Sequence, residues 1–82
     1  MEGLESIGCG QILYNIGQVH YNQGKFNETL EYYNRALNII ENILGKESGD
    51  CIRILYNIAN VYADMNQINQ TIEYYKKALS IE

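Results

Sequence analysis

Ile12-Leu13-Tyr14-Asn15-Ile16 returns unchanged as Ile54-Leu55-Tyr56-Asn57-Ile58, 42 residues along the chain. The same offset carries Glu31-Tyr32-Tyr33 onto Glu73-Tyr74-Tyr75 and Ala36-Leu37 onto Ala78-Leu79. It also carries Gly3, Glu5, Ser6 and Cys9 onto Gly45, Glu47, Ser48 and Cys51. From Gly3 to Ile40, 18 of 38 positions equal their counterpart without a gap. Unrelated stretches of this length would share only a few. A short unit repeated in tandem cannot bury its apolar face alone, so repeats predict stacked supersecondary units. We read residues 1–82 as a single two-repeat domain, repeat one over 3–44 and repeat two over 45–82.

Each repeat carries two helical patterns. Apolar residues at 26, 30, 33, 37, 40 and 44 advance by fours and threes, the stripe of an amphipathic helix. Its copy runs Ile68, Ile72, Tyr75, Leu79. The preceding helices show Cys9, Leu13, Ile16, His20 and Cys51, Leu55, Ile58, Tyr62. No stretch alternates with period two, so no strand is predicted. Gly24 falls between the first two patterns, where a left-handed residue ends a helix, and its counterpart is Asn66, which also tolerates that conformation. Leu44-Gly45 ends the second helix in the same way. Ser6 and Ser48 suit N-caps, and Asp50 suits a helix N-terminus. The expected helices span about 7–23, 26–44, 49–65 and 68–81. Gly8 and Gly10 predict a frayed first turn. The expected core is Leu13, Ile16, Phe26, Leu30, Tyr33, Ala36, Leu37, Leu55, Ile58, Tyr62, Ile72, Tyr75 and Ala78. The fold class is all-α: two stacked antiparallel helix hairpins.

Composition narrows the function. Ten acidic and six basic residues give a net charge of −4, the wrong sign for a phosphate backbone, so nucleic acid is not an expected partner. No apolar run approaches the length of a membrane span, and no membrane partner is expected. The first residues lack a basic and an apolar segment of an export signal, and the two cysteines read as reduced thiols, so the expected location is intracellular and cytoplasmic.

These residues resemble the tetratricopeptide repeat family. Leu13, Ile16, Gly17, Tyr33 and Ala36 fill the family pattern in repeat one. Leu55, Ile58, Ala59, Tyr62, Tyr75 and Ala78 fill it in repeat two. His20 departs from the aromatic position of the first helix, and Thr29 and Thr71 replace a small alanine. The period of 42, rather than roughly 34, and Leu44-Gly45-Lys46 are similar to kinesin-light-chain-like repeats. The resemblance implies a right-handed α-solenoid fragment, a non-enzymatic protein-interaction module, and a concave groove lined by the first helix of each repeat.

Gln11, Tyr14, Asn15, Gln18, Tyr21 and Asn22 occupy that face in repeat one. Arg53, Tyr56, Asn57, Asn60, Ala63 and Asp64 occupy it in repeat two. Amides offer a donor and an acceptor to an extended peptide, tyrosine adds flat contact area, and Arg53 suits a carboxylate. The expected peptide site is Gln11, Tyr14, Asn15, Gln18, Arg53, Tyr56, Asn57 and Asn60. The same residues also fit a solvated polar face. Tyr14 stands where the family's clamp for chaperone tails wants a lysine, so that ligand is not expected.

Cys9, Cys51 and His20 are the soft ligand candidates, but their spacing keeps them apart, so no metal, cofactor or catalytic group is expected. Both cysteines read as small buried residues, and His20 as a packed one. Asn27 and Asn69 sit in glycosylation sequons that duplication accounts for. A second activity is self-association with further copies of the same repeat. Its expected surfaces are Tyr74, Ala78 and Ile81 at one end and Cys9, Ile12 and Leu13 at the other.

Overall fold

The computed structural model describes residues 6–81. The repeat edges at residue 3 and residue 82, with the Gly3 and Glu5 matches, lie outside them. Four helices follow in order: α1 (Ile7–Asn22), α2 (Phe26–Leu44), α3 (Gly49–Asp64) and α4 (Ile68–Ile81). Among the described residues there is no strand. The extensive seams are α1–α2, α3–α4 and, narrower, α2–α3, so two hairpins stack through their inner helices.

The helix ends follow from local chemistry that repeats with the sequence. Ser6 and Ser48 hold extended backbone, and each hydroxyl accepts from the N–H three residues on, Cys9 and Cys51, at 3.2 Å. At the other end of α1, Lys25 N–H donates to His20 and Gly24 N–H to Tyr21, both at 2.9 Å. Gln67 N–H and Asn66 N–H close α3 identically on Tyr62 and Ala63. This double bond pattern requires a left-handed residue, and φ is +76° at Gly24 and +61° at Asn66. Gly45 ends α2 at φ +92°.

The core is Tyr33, Ala36, Leu37 and Ile40 of α2, Cys51, Ile54, Leu55, Ile58, Ala59 and Val61 of α3, and Ala78 of α4. Leu13, Phe26, Leu30 and Tyr62 pack partly buried against it. Thr29, expected as an alanine substitute, is fully buried, and its hydroxyl is satisfied by donating to the Lys25 carbonyl at 2.9 Å.

Helix α4 corrects the sequence reading. The stripe Ile68, Ile72, Tyr75, Leu79 reads by periodicity as the inward face of α4, yet only Tyr75 is half-buried, while Ile68, Ile72 and Leu79 are 69%, 47% and 60% exposed. Tyr74, Ala78 and Ile81, expected to lie open for self-association, instead pack inward, with Ala78 fully buried. Tyr74 stacks on Tyr62 of α3 at 5.5 Å, as Tyr32 stacks on His20 of α1 at 5.3 Å. The 74/78/81 stripe therefore meets the helix of its own repeat. The 68/72/79 stripe is the counterpart of the Phe26, Leu30 and Leu37 stripe on α2. That stripe serves the next repeat.

Ala36 is fully buried on the stripe that α2 turns toward α1. Ala36→Leu should therefore cost about 1–3 kcal/mol by overpacking. An unchanged melting temperature would show that the helices do not meet closely there.

The first turn of α1 is not frayed. The helix runs from Ile7, and a Cβ on the buried Gly10 would stand only 2.9 Å from the Cδ1 of Ile40. Gly10 is thus a point of close approach. Gly17 is a tighter one, since a Cβ there would lie 2.7 Å from the Tyr33 ring. Tyr33 settles on this bare stretch of α1 and stacks on Tyr14 at 5.1 Å.

A polar cleft and a tyrosine ladder across two helices

Where Gly10 lets Ile40 approach, a shallow cleft opens between α1 and α3. Gly10, Gln11, Tyr14, Asn15, Ile40, Asp50 and Arg53 line about 200 Å³ of space. Four of the eight expected peptide-site residues, Gln11, Tyr14, Asn15 and Arg53, therefore meet in one place. Gln11, Asn15 and Arg53 are exposed, and Tyr14 is half-buried. The Arg53 guanidinium lies over the Tyr14 ring at 5.5 Å and pairs with Asp50 at 3.2 Å. Both partners of that ion pair are substantially exposed, so it holds the guanidinium only weakly.

The other expected residues are placed differently. The Tyr14 hydroxyl accepts from Gln18 Nε2 at 2.9 Å and from Asn57 Nδ2 at 2.5 Å. Asn57 is half-buried and hydrogen-bonded within the domain, so it is not the accessible peptide ligand its sequence position predicted. It ties α3 to α1 instead. Asn60 accepts from the Tyr75 hydroxyl at 2.5 Å, and Tyr75 lies tilted on Tyr56 at 5.8 Å. Tyr56 and Asn60 thus belong to a second cluster, centred on α4 rather than on the cleft.

Sequence reasoning placed Tyr21 and Asp64 on this face without seeing that they pair. The Tyr21 hydroxyl donates to the Asp64 carboxylate. Tyr14–Asn57 and Tyr21–Asp64 both join residues 43 apart. The spacing is one residue longer than the repeat, so α3 is staggered by one position against α1. The two rungs are seven residues apart along each helix and so share a face.

Three tyrosines, Tyr21, Tyr33 and Tyr62, hold their protons more firmly than a free phenol. The hydrogen bond to Asp64 raises the pKa of Tyr21, helped by burial and by the carboxylate's charge. Burial raises Tyr33 strongly, with Tyr14 and Tyr21 nearby adding to it. Burial also raises Tyr62. His20 points its Nδ1 at the Ile16 carbonyl, 2.9 Å away, which fixes the proton on that nitrogen. Cys51 is fully buried, its thiol 3.4 Å from the Gly45 carbonyl. Cys9, expected to be buried as well, is only partly so; among the described residues α1 packs extensively on α2 alone. Hydrogen bonding to Ser6 draws its thiol below the usual range. Among the described residues no three His, Cys, Asp or Glu side chains cluster as a metal site. Among them too, no helix is long and apolar enough to cross a membrane.

A family model described as tetratricopeptide repeat matches residues 9–81. No curated protein matches the chain. Among solved structures, the crystal structure of BtubC (BKLC) from P. vanneervenii superposes with a TM-score of 0.91 at 22% identity. The match covers 95% of this chain but 31% of that one, so this chain spans about a third of that protein's length. At this identity the likeness concerns the fold.

Proposed function

Because this chain belongs to the tetratricopeptide repeat family, in its 42-residue, kinesin-light-chain-like variety, we propose that it holds an extended peptide along the α1–α3 face. Repeats of this family are protein-interaction modules and generally non-enzymatic scaffolds. The observation that carries the finer reading is the cleft where Gln11, Tyr14, Asn15 and Arg53 converge above Ile40. Exposed amides on Gln11 and Asn15 can pair with a peptide backbone, Ile40 offers an apolar floor, and Arg53 can trade its weak partner Asp50 for a peptide carboxylate. Asn57 and Gln18 contribute by holding the Tyr14 hydroxyl in place. The exposed apolar residues at both ends favour a second activity, stacking on further repeats.

Selection of random extended peptides on the immobilised chain tests the groove. Selected peptides should shift the backbone signals of Gln11, Asn15 and Arg53. Asn15→Ala and Arg53→Ala should each weaken binding about five- to tenfold, the loss of one hydrogen bond or charge contact, with the melting temperature unchanged. Peptides that bind equally well to both variants, or shift only residues elsewhere, would refute the assignment.

A further inference from the structure

We propose that the two ends of this chain bind each other between copies, so that it assembles head to tail in the geometry of its own α2–α3 seam. The seam is a template, because both surfaces that form it occur a second time, uncovered among the described residues. On α3, Cys51, Ile54 and Val61 are 0%, 2% and 1% exposed. Their counterparts on α1 are the same residue types, yet Ile12 is 60% and Val19 54% exposed, and Cys9 is partly open. The helix that covers α3 on this side is α2, and among the described residues α1 has no such neighbour.

The other half of the seam behaves alike. Leu37 of α2 is 8% exposed, whereas its counterpart Leu79 is 60% exposed. Leu30 is half-buried, and its counterpart Ile72 is 47% exposed. Each open surface thus matches in chemistry a surface already seen packed against the other's equivalent. A contact between unlike ends leaves one of each free, so it propagates along an open stack.

The ladder sets the register and the strength. Docking in the internal geometry brings Tyr56 of one copy beside Asn15 of the next, as Tyr14 lies beside Asn57. The second rung is lost, since Ala63 and Asn22 stand where Tyr21 and Asp64 pair. Like charge on the copies, −4 each, opposes docking as well. The junction between copies is therefore weaker than the internal seam, is concentration-dependent, and strengthens with salt.

Sedimentation of the full 82-residue chain and of two variants decides the matter. Ile12→Glu and Leu79→Glu each place a carboxylate on an exposed position of one end, so the helical fold should persist, which circular dichroism checks. The parent chain should grow in mass with concentration. Each variant alone should associate at least about a hundredfold more weakly, because docking would bury an unpaired charge. An equimolar mixture should then restore one junction, between the intact ends, and stop at a heterodimer. In the parent chain, alkylation of Cys9 should slow as concentration rises, because docking covers it. A parent chain that stays monomeric throughout overturns the proposal. So does either variant that associates as tightly as the parent, which would mean like-end pairing or another surface. A mixture that stays monomeric overturns it too. The peptide cleft shares Asn15 with this junction, so peptide binding is read separately, on the Leu79→Glu variant, whose cleft residues are intact and whose association is blocked.

Discussion

Tyr33→Ala should destabilise the chain by about 3–5 kcal/mol, whereas Tyr75→Ala, at the same position of the second repeat, should cost only about 1 kcal/mol. The residue type and the helical register are identical. The surroundings are not. Tyr33 is 1% exposed, wedged against Gly17 and stacked on Tyr14. Removing its ring leaves a void bounded by α1 and α2, which rigid backbones cannot close. Tyr75 is only half-buried, and water can enter where its ring stood. A domain of this size has roughly 4–12 kcal/mol of stability in all, so the Tyr33 variant loses a large share of it. Urea unfolding of both variants reads the difference directly. Equal losses would mean that burial at the seam does not distinguish the two repeats.

Leu37→Ala and Leu79→Ala make the second comparison. Leu37 lies in the α2–α3 seam at 8% exposure, and its loss should cost about 2–5 kcal/mol. Leu79 is 60% exposed, and its loss should stay within about 0.5 kcal/mol at low protein concentration, where copies do not stack. A costly Leu79→Ala in dilute solution would return the 68/72/79 stripe to the inside of the molecule, where periodicity alone had placed it.

That misplacement shows what periodicity can and cannot carry. The four helices, the caps at Ser6 and Ser48 and the left-handed ends at Gly24 and Asn66 depend on residues within one turn of each other, and all were legible in the sequence. Which apolar stripe meets which neighbour was not. Helix α2 has apolar residues on two sides because it packs between α1 and α3. Helix α4 inherits both stripes by duplication but, among the described residues, packs extensively on α3 alone. Nothing in the residues of α4 says which stripe goes uncovered.

The candidate site divides in the same way. The identical Tyr14-Asn15 and Tyr56-Asn57 pairs marked the right face. They suggested two equal grips on a ligand, one per repeat. The one-residue stagger between α1 and α3 instead lets Tyr14 reach Asn57, so one repeat's tyrosine engages the next repeat's amide. The stagger is a property of how helices slide past each other and leaves no trace in spacing within a repeat. Gly10 was similarly opaque. A glycine in a helix reads as a weak point until the Ile40 side chain that needs its missing Cβ is seen beside it.

The order of the seams also governs how quickly this molecule finds its shape. Each extensive seam joins helices that follow one another in the chain, α1 with α2, α2 with α3, and α3 with α4. No large loop has to close before favourable contacts begin, so the search is local and the barrier is set by turns of a few residues. Chains with such short-range contacts reach the folded state in about microseconds to milliseconds. Either hairpin can nucleate, and the one already formed then presents its inner helix as a surface on which the other condenses. The two rungs at Tyr14 and Tyr21 can close only after both hairpins exist. They are late events, acting on the rate of unravelling more than on the rate of assembly.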